Sequence, residues 1–326
     1  MQLYHQTDLG RMYLGDSLKL LPQLPDGAVN LIVTSPPFAL LVPKEYGNQD
    51  AGAYLEWFKP FGRECKRLLA DNGSLVIDIA GVWNRGLPTR SLYHFELLLM
   101  LCRDLGFHLA QELYWWSPNK LPTPTWATMQ RVRVKDAVNC LWWLAPTPWP
   151  KANNRRVLVP YSAMHRHHIK HGRKTFGRSH SGHVISKHFC RDNGAAIPPN
   201  LIAMPNAAND REYLSRCREK GIKPHPARFP QLLPEYFIRL LTDRNDLVLD
   251  PFAGSCVTAS VAERLGRRWI CADTVEPYLA GGKLRLDCTR PRYAKKNLQY
   301  SLWHPSTLWN DLDPTAPPDP IGANFV

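Results

Sequence analysis

No C-x-x-C pair occurs among the eight cysteines (Cys65, Cys102, Cys140, Cys190, Cys217, Cys256, Cys271 and Cys288). That excludes the usual zinc-ribbon and redox-motif spacings. Scattered thiols fit a reducing compartment better than a disulfide framework. No cysteine follows a proline, so the chain has no Pro-Cys nucleophile. No apolar run is long enough to span a bilayer, and no basic-then-apolar segment opens the chain. A soluble, cytoplasmic protein without membrane association is expected. Neither G-x-G-x-x-G nor G-x-x-x-x-G-K-[ST] is present, which disfavours a dinucleotide or a nucleoside triphosphate.

Acidic residues are also scarce: 28 against 41 Lys and Arg, a net charge of +13 over 326 residues. The imbalance is local. Between Lys151 and Lys223 there are 15 Lys/Arg and 4 Asp/Glu, a net of +11, leaving +2 for the rest. Seven of the 12 histidines fall in the same block. A basic block inside a balanced chain suggests a polyanionic partner, most simply nucleic acid; a merely solvated surface is the alternative. Histidines 165, 167, 168 and 171 cluster, but no cysteine lies at finger spacing, so no metal site is expected.

What is present is an alternation of strands and helices. Strands are expected at 11–15, 28–33, 74–80, 109–115, 137–144, 246–250 and 267–273, the fourth and fifth as an antiparallel pair. Helices are expected at 17–21, 54–69, 89–104 (with Thr89 as cap and Gly106 as stop), 232–241, 257–265 and 278–286. This pattern is an α/β sheet with helices on both faces. Periodicity is lost from about 146 to 224. The expected division is therefore 1–145 and 225–290 as two halves of one α/β domain, 146–224 as an inserted domain, and 291–326 as a Pro-rich tail.

Two strand ends carry chemistry. The first strand-to-loop passage reads NLIVTSPPF from Asn30 to Phe38. Consecutive prolines lock two φ angles, remove two N–H donors and keep Ser35 extended. The stiff loop offers the Ser35 hydroxyl, backbone carbonyls and the Phe38 ring. It suits an amine-bearing planar group, and equally an ordinary Pro-rich turn. The second passage, DLVLDPFAGSCVT from Asp246 to Thr258, is strand, small-residue loop and helix. Its backbone can approach a ligand closely, and the next strand ends in Asp273, well placed for ribose hydroxyls.

Taken together, SPPF at 35–38, DPFAGS at 250–255, GDSL at 15–18 and HPARFP at 225–230 resemble the amino-methylating DNA methyltransferases. Ser first and Phe fourth in the tetrapeptide resemble the cytosine-N4 branch more than the adenine-N6 branch. The catalytic motif precedes the cofactor motif, the permuted "beta" order. Further stretches (TSPPFAL, KEYGN, KLP with VKDAVN, DNG with IPPNL) resemble one member of that branch from Met12 to Leu286.

The resemblance implies a seven-stranded S-adenosylmethionine-dependent methyltransferase (Rossmann-like) sheet with an inserted target-recognition domain. It implies transfer of a methyl group to cytosine N4 in double-stranded DNA at a short site, CAGCTG with its internal cytosine modified. The enzyme would act as a monomer and be paired with a restriction endonuclease. Ser35, Pro36, Pro37 and Phe38 would be catalytic. Phe38 and Trp115 would stack on a flipped base, although Trp115 also fits a core position. S-adenosyl-L-methionine would meet Asp16 at its adenine, Asp273 at its ribose, and Phe252, Gly254 and Ser255 around the methionine and ribose. Asp250 would contact it or shape the loop, and His225–Pro230 would line the methionine end. Adenine-N6 methylation, or DNA binding without catalysis, are the alternatives. Two departures stand out. Cys256 replaces the second glycine of F-x-G-x-G, so the loop should not need a glycine-only φ there. Glu276-Pro277-Tyr278 replaces Pro-Glu-Tyr, which should alter only a helix start.

Overall fold

The computed structural model describes residues 1–40, 47–173, 176–178, 182–206 and 210–287. Residues 44–46 of the KEYGN stretch and the tail from 291 lie outside the described residues. Two compact units are present among those described: 1–158 with 197–287, and 159–196.

The larger unit opens with a hairpin of β1 (Gln2–Gln6) and β2 (Gly10–Leu14). The short helix α1 (Ser17–Leu20) follows, its Leu18 N–H capped by the Asp16 carboxylate at 3.0 Å. Next come β3 (Val29–Thr34), α2 (Tyr54–Leu68), β4 (Leu69–Ile79) and α3 (Tyr93–Arg103). An antiparallel pair, β5 (His108–Trp116) and β6 (Val138–Ala145), completes the first half. The smaller unit holds α4 (Ala163–His171) and a hairpin of β7 (Gly177–Arg178) and β8 (Val184–Ile185). Reciprocal backbone hydrogen bonds between Val159 and Ala196 join its two ends. The larger unit resumes with β9 (Leu201–Ala203), α5 (Arg211–Glu219), α6 (Leu232–Leu241), β10 (Leu247–Asp250), α7 (Val257–Arg264), β11 (Arg268–Asp273) and α8 (Glu276–Leu286).

All strands of the larger unit join one nine-stranded sheet, ordered β1-β2-β11-β10-β3-β4-β6-β5-β9. The five strands from β2 to β4 run parallel. Central in the sheet, β3 is buried on both faces, which is why it reads as an almost unbroken apolar run. The sheet is therefore two strands wider than the seven expected. Both additions, β1 and β9, are edge strands. Gln2–Gln6 shows no apolar alternation, and Leu201–Ala203 is three residues long and is ordered only by pairing with β5.

Helix α2 buries Tyr54, Phe58, Phe61, Cys65 and Leu68 on one stripe against β4 and α3, the 3.6-residue period made physical. Helix α3 starts later than expected. Thr89 is not its cap; its hydroxyl accepts from Asn84 Nδ2 at 3.0 Å in a turn closed by the Trp83–Arg90 bridge. The residue at the N-cap is Leu92, with no side-chain bond.

In the sheet Gly10 pairs with Trp269 of β11, and the indole lies over it. A Cβ on Gly10 would sit 2.2 Å from that ring, and Trp269 is fully buried. Gly10→Ala should therefore destabilise the fold by about 1–3 kcal/mol, the usual cost of overpacking a filled core. Denaturant unfolding of the two proteins checks this.

Candidate active site

Strand order reverses between β3 and β10. The chain runs from β3 outward to β4 on one side and from β10 outward to β11 on the other. Ligands of open α/β sheets bind at the carboxyl ends of strands at such a switch point. Both motif loops leave the sheet there: Ser35 directly follows β3, and Pro251 directly follows β10.

The two strand ends are tied together. Thr34 Oγ1 donates to Asp250 Oδ1 at 2.7 Å, and the same oxygen accepts the Phe252 N–H at 3.2 Å. Asp250 is buried, and burial pushes its carboxyl up to about 6 despite these donors. It does not line the cavity in front of the loops. Its role in this geometry is to brace the loop.

That cavity, of about 760 Å³, lies in the larger unit. It brings together Ser35, Pro36, Pro37, Phe38, Trp115, Asp16, Phe252, Gly254, Ser255 and Asp273, with His225–Phe229 beside them; of the expected site residues Asp250 and Pro230 alone do not line it. Trp115 is buried within its wall, and its indole N–H donates to the Met204 carbonyl at 3.0 Å.

Three side chains that sequence reasoning left without a role complete one wall. Ser35 Oγ donates to Asp78 Oδ2 at 3.1 Å. Asn139 Nδ2 donates to Asp78 Oδ1 at 2.9 Å, and Lys120 Nζ donates to Asn139 Oδ1 at 2.9 Å. Asp78 lies near the carboxyl end of β4, the strand beside β3. Burial pushes its carboxyl up to about 6; the bonds from Asn139 and Ser35 and the charge of Lys120 pull the other way. Lys120 is itself lowered by burial. The visible signal was an acid inside SLVIDIA, a strand otherwise reading as fully buried.

On the other wall, Asp273 ends β11. Its Oδ2 accepts the Gly254 N–H at 2.8 Å and its Oδ1 accepts the Val275 N–H at 2.9 Å. Burial pushes this carboxyl up to about 6 as well. Gly254 has φ +49°, and a Cβ there would press on the His225 imidazole at 3.2 Å. His225 is lowered to about 4, chiefly by burial, and its Nδ1 accepts the Ala227 N–H at 3.2 Å, so the ring is neutral near pH 7. Phe252 packs on Trp57 and Phe61 at ring separations of 5.8 and 4.8 Å.

Cys256 has φ 55° and ψ 37°, in the left-handed region. This region favours glycine but is open to other residues, so the loop does not need a glycine-only φ there. The cysteine occupies a conformation that favours glycine, at a cost of roughly 1–2 kcal/mol. Glu276-Pro277-Tyr278 opens α8, with Pro277 in its first turn, where the missing N–H is harmless.

The family described as DNA methylase, N6_N4_Mtase, matches residues 29–283. The chain belongs to this N6/N4 DNA methylase family. The type II methyltransferase M.PvuII of Proteus hauseri is 45% identical over 284 residues, 86% of this chain and 84% of that protein. M.BglII of Bacillus subtilis is 27% identical over 279 residues, 85% of this chain and 68% of that one. Among solved structures, PvuII DNA methyltransferase (cytosine-N4-specific) superposes with a TM-score of 0.70 at 40% identity, covering 86% of each chain. A Thermus thermophilus protein solved in complex with S-adenosyl-L-methionine shares the fold at 22% identity and a TM-score of 0.54, over 87% and 96% of the two chains. The N6/N4 methylase fold and this chain's mixed α/β sheet therefore agree, and the chain is a methyltransferase.

The geometry makes a direct prediction about Asp78. Asn139→Leu removes a donor that favours the ionised carboxyl and should raise it further above about 6. Carboxyl-carbon NMR titration of the two proteins would detect the rise; an unchanged value would mean the Asn139 bond is not formed in solution.

Proposed function

We propose that the chain transfers a methyl group from S-adenosyl-L-methionine to the exocyclic N4 of cytosine in double-stranded DNA. The observation that carries this is the Ser35–Asp78 pair, facing the same cavity as the Phe252–Ser255 loop. Likeness to M.PvuII, and to a structure titled cytosine-N4-specific, supports N4 over adenine N6.

The residues present fit the cofactor. Gly254 leaves room beside His225, and Asp273 is held by two backbone N–H groups with lone pairs left over for hydroxyls. Asp273 would take the ribose, Asp16 the adenine, and Phe252, Gly254 and Ser255 the methionine side. When bound, S-adenosyl-L-methionine supplies the methyl group as an electrophile on its sulfonium.

The protein's part is to prepare the amine. An exocyclic amine on cytosine is conjugated with the ring, so its lone pair is a poor nucleophile. Ser35 gives its hydrogen to Asp78, which leaves the Oγ lone pairs free to accept. Pro36 and Pro37 have no N–H, so the loop offers acceptors and no competing backbone donors there. Hydrogen bonds from the amine to Ser35 Oγ and the Pro36 carbonyl favour a tetrahedral nitrogen with an available lone pair. Holding it in line supplies much of the rate. The proton that the amine gives up would pass to Ser35 Oγ while the serine proton passes to Asp78 Oδ2, so the pair ends with the carboxyl protonated and the serine hydroxyl restored. Phe38 and Trp115 would stack on the base once it has left the duplex.

The basic segment from Lys151 to Lys223 supports a DNA partner. It would form the target-recognition part, with Lys and Arg on phosphates. The site proposed is CAGCTG, modified at the internal cytosine and so protected from a cognate endonuclease. A cytoplasmic enzyme acting as a monomer on one strand at a time suits this reading. Among the described residues no helix is long and apolar enough to cross a membrane.

Sequencing DNA from a host that expresses the gene tests the function. N4-methylcytosine at one short site is the expected result; N6-methyladenine alone would overturn the choice of base. The mechanism has its own test. Ser35→Ala should lower kcat about a hundredfold or more, as loss of proton transfer does, while cofactor binding is retained. For the wild type, kcat should fall as pH drops below about 6, where Asp78 becomes protonated and can no longer take the serine proton. Asp78→Asn should be slow at every pH and lack that limb.

A further inference from the structure

We infer that the loop joining β5 to β6, residues 117–137, is an apolar wedge that fills the gap left in DNA when the target base leaves the stack. The inference rests on the DNA reading above and deepens it. Both ends of the loop belong to the cavity wall: Ser117, Lys120 and Ala137 line it. Between them the loop does what a soluble surface usually avoids. Leu121 is 86% exposed, Met129 76% and Val134 87%. Only one other large apolar side chain among the described residues, Trp149, exceeds three-quarters exposure. Single exposed apolar residues need no explanation, but three on one loop beside a cavity do.

The loop is also anchored rather than slack. Trp83 Nε1 donates to Thr123 Oγ1 at 3.1 Å, Arg133 Nε to the Pro88 carbonyl at 3.0 Å, and Lys135 Nζ to the Pro118 carbonyl at 2.9 Å. Asp136, the loop's one acid, is paired with Arg90. What the loop presents is therefore three apolar side chains among Arg131, Arg133 and Lys135.

Duplex DNA fits that combination. Cations meet phosphates on either side, and small apolar side chains enter a base step, as Leu and Met do in proteins that unstack DNA. The proximity to the cavity gives the wedge its use. A cytosine entering the cavity leaves its guanine partner without a neighbour, and an apolar group in that space lowers the cost of keeping the base out. The wedge acts on flipping, not on methyl transfer.

That distinction can be measured with the full-length protein and the combined variant Leu121→Ala, Met129→Ala, Val134→Ala. All three side chains are exposed, so folding should be unaffected; a thermal midpoint and cofactor titration verify this. Two duplexes are compared, one with the target cytosine paired to guanine and one with it opposite an abasic site, where no pair must be broken. The variant should lose about tenfold in kcat/KM on the paired duplex and stay within about twofold of wild type on the abasic one. Equal loss on both duplexes, or no loss on either, would overturn the wedge. Absence of cytosine methylation by the wild type on the paired duplex would instead sink the proposed function.

Discussion

The hydrogen bond from Thr34 to Asp250 is the constraint on which the site depends. It crosses from the last residue of β3 to the last residue of β10, 216 positions apart in sequence. Parallel pairing of Leu31 with Val248 and Ile32 with Leu249 sets the register, and Asn30 Oδ1 accepting the Leu247 N–H extends it. A hydrogen bond to a charged group contributes about 1.5–3 kcal/mol. Its positional effect matters more. The Ser35–Phe38 loop starts one residue after Thr34, and the small-residue loop starts one residue after Asp250. A shift of one residue in this pairing would turn Ser35 away from the cavity, because strand side chains alternate faces.

Three carboxyls around this site are buried and pushed up to about 6, but they are not equivalent. Asp250 and Asp273 are held mainly by groups that a ligand cannot displace: the Thr34 hydroxyl and the backbone N–H groups of Phe252, Gly254 and Val275. They keep the loops in shape. Asp78 is held only by Ser35 and Asn139, side chains that themselves face the cavity. Of the three, Asp78 is therefore the carboxyl whose present donors are all cavity-facing side chains. Lys120, linked through Asn139, keeps a positive charge within reach and favours the ionised form without neutralising it by direct contact.

Much of this was legible in the sequence for a physical reason. Central parallel strands are apolar on both faces, so β3, β4, β10 and β11 announce themselves, and the loops that leave them carry unusual residues. The edges were not legible. β1 and β9 exist because a neighbour offers free hydrogen-bonding groups, and their own residues say little. Thr89 was misread because a capping residue and a turn residue look alike without knowledge of the bridge between Trp83 and Arg90. Asp78 escaped because a single acid in a buried strand has no periodic signature; only the Ser35 hydroxyl, supplied by the adjacent strand, gives it meaning. The left-handed turn at Cys256 could not be read from the residue itself, because a cysteine occupies that conformation only at a cost that its surroundings must offset.

The last constraint concerns how the basic insertion is stitched back to the sheet. After β6 the chain leaves the sheet, and it returns as β9, which pairs parallel to β5 with Trp115 opposite Ile202. One residue beyond that strand, the Met204 carbonyl accepts the Trp115 indole N–H. The Trp116 carbonyl accepts the Met204 N–H, and Ser117 Oγ accepts the Asn206 N–H. The end of β5 is therefore held from two sides: by β6, whose Asn139 contacts Asp78, and by the segment that closes the insertion. An edge strand of three residues contributes little to stability by itself. Its value lies in position. It fixes Trp115 in the wall of the cavity, so the shape of the cavity depends on the returning segment as well as on the two motifs.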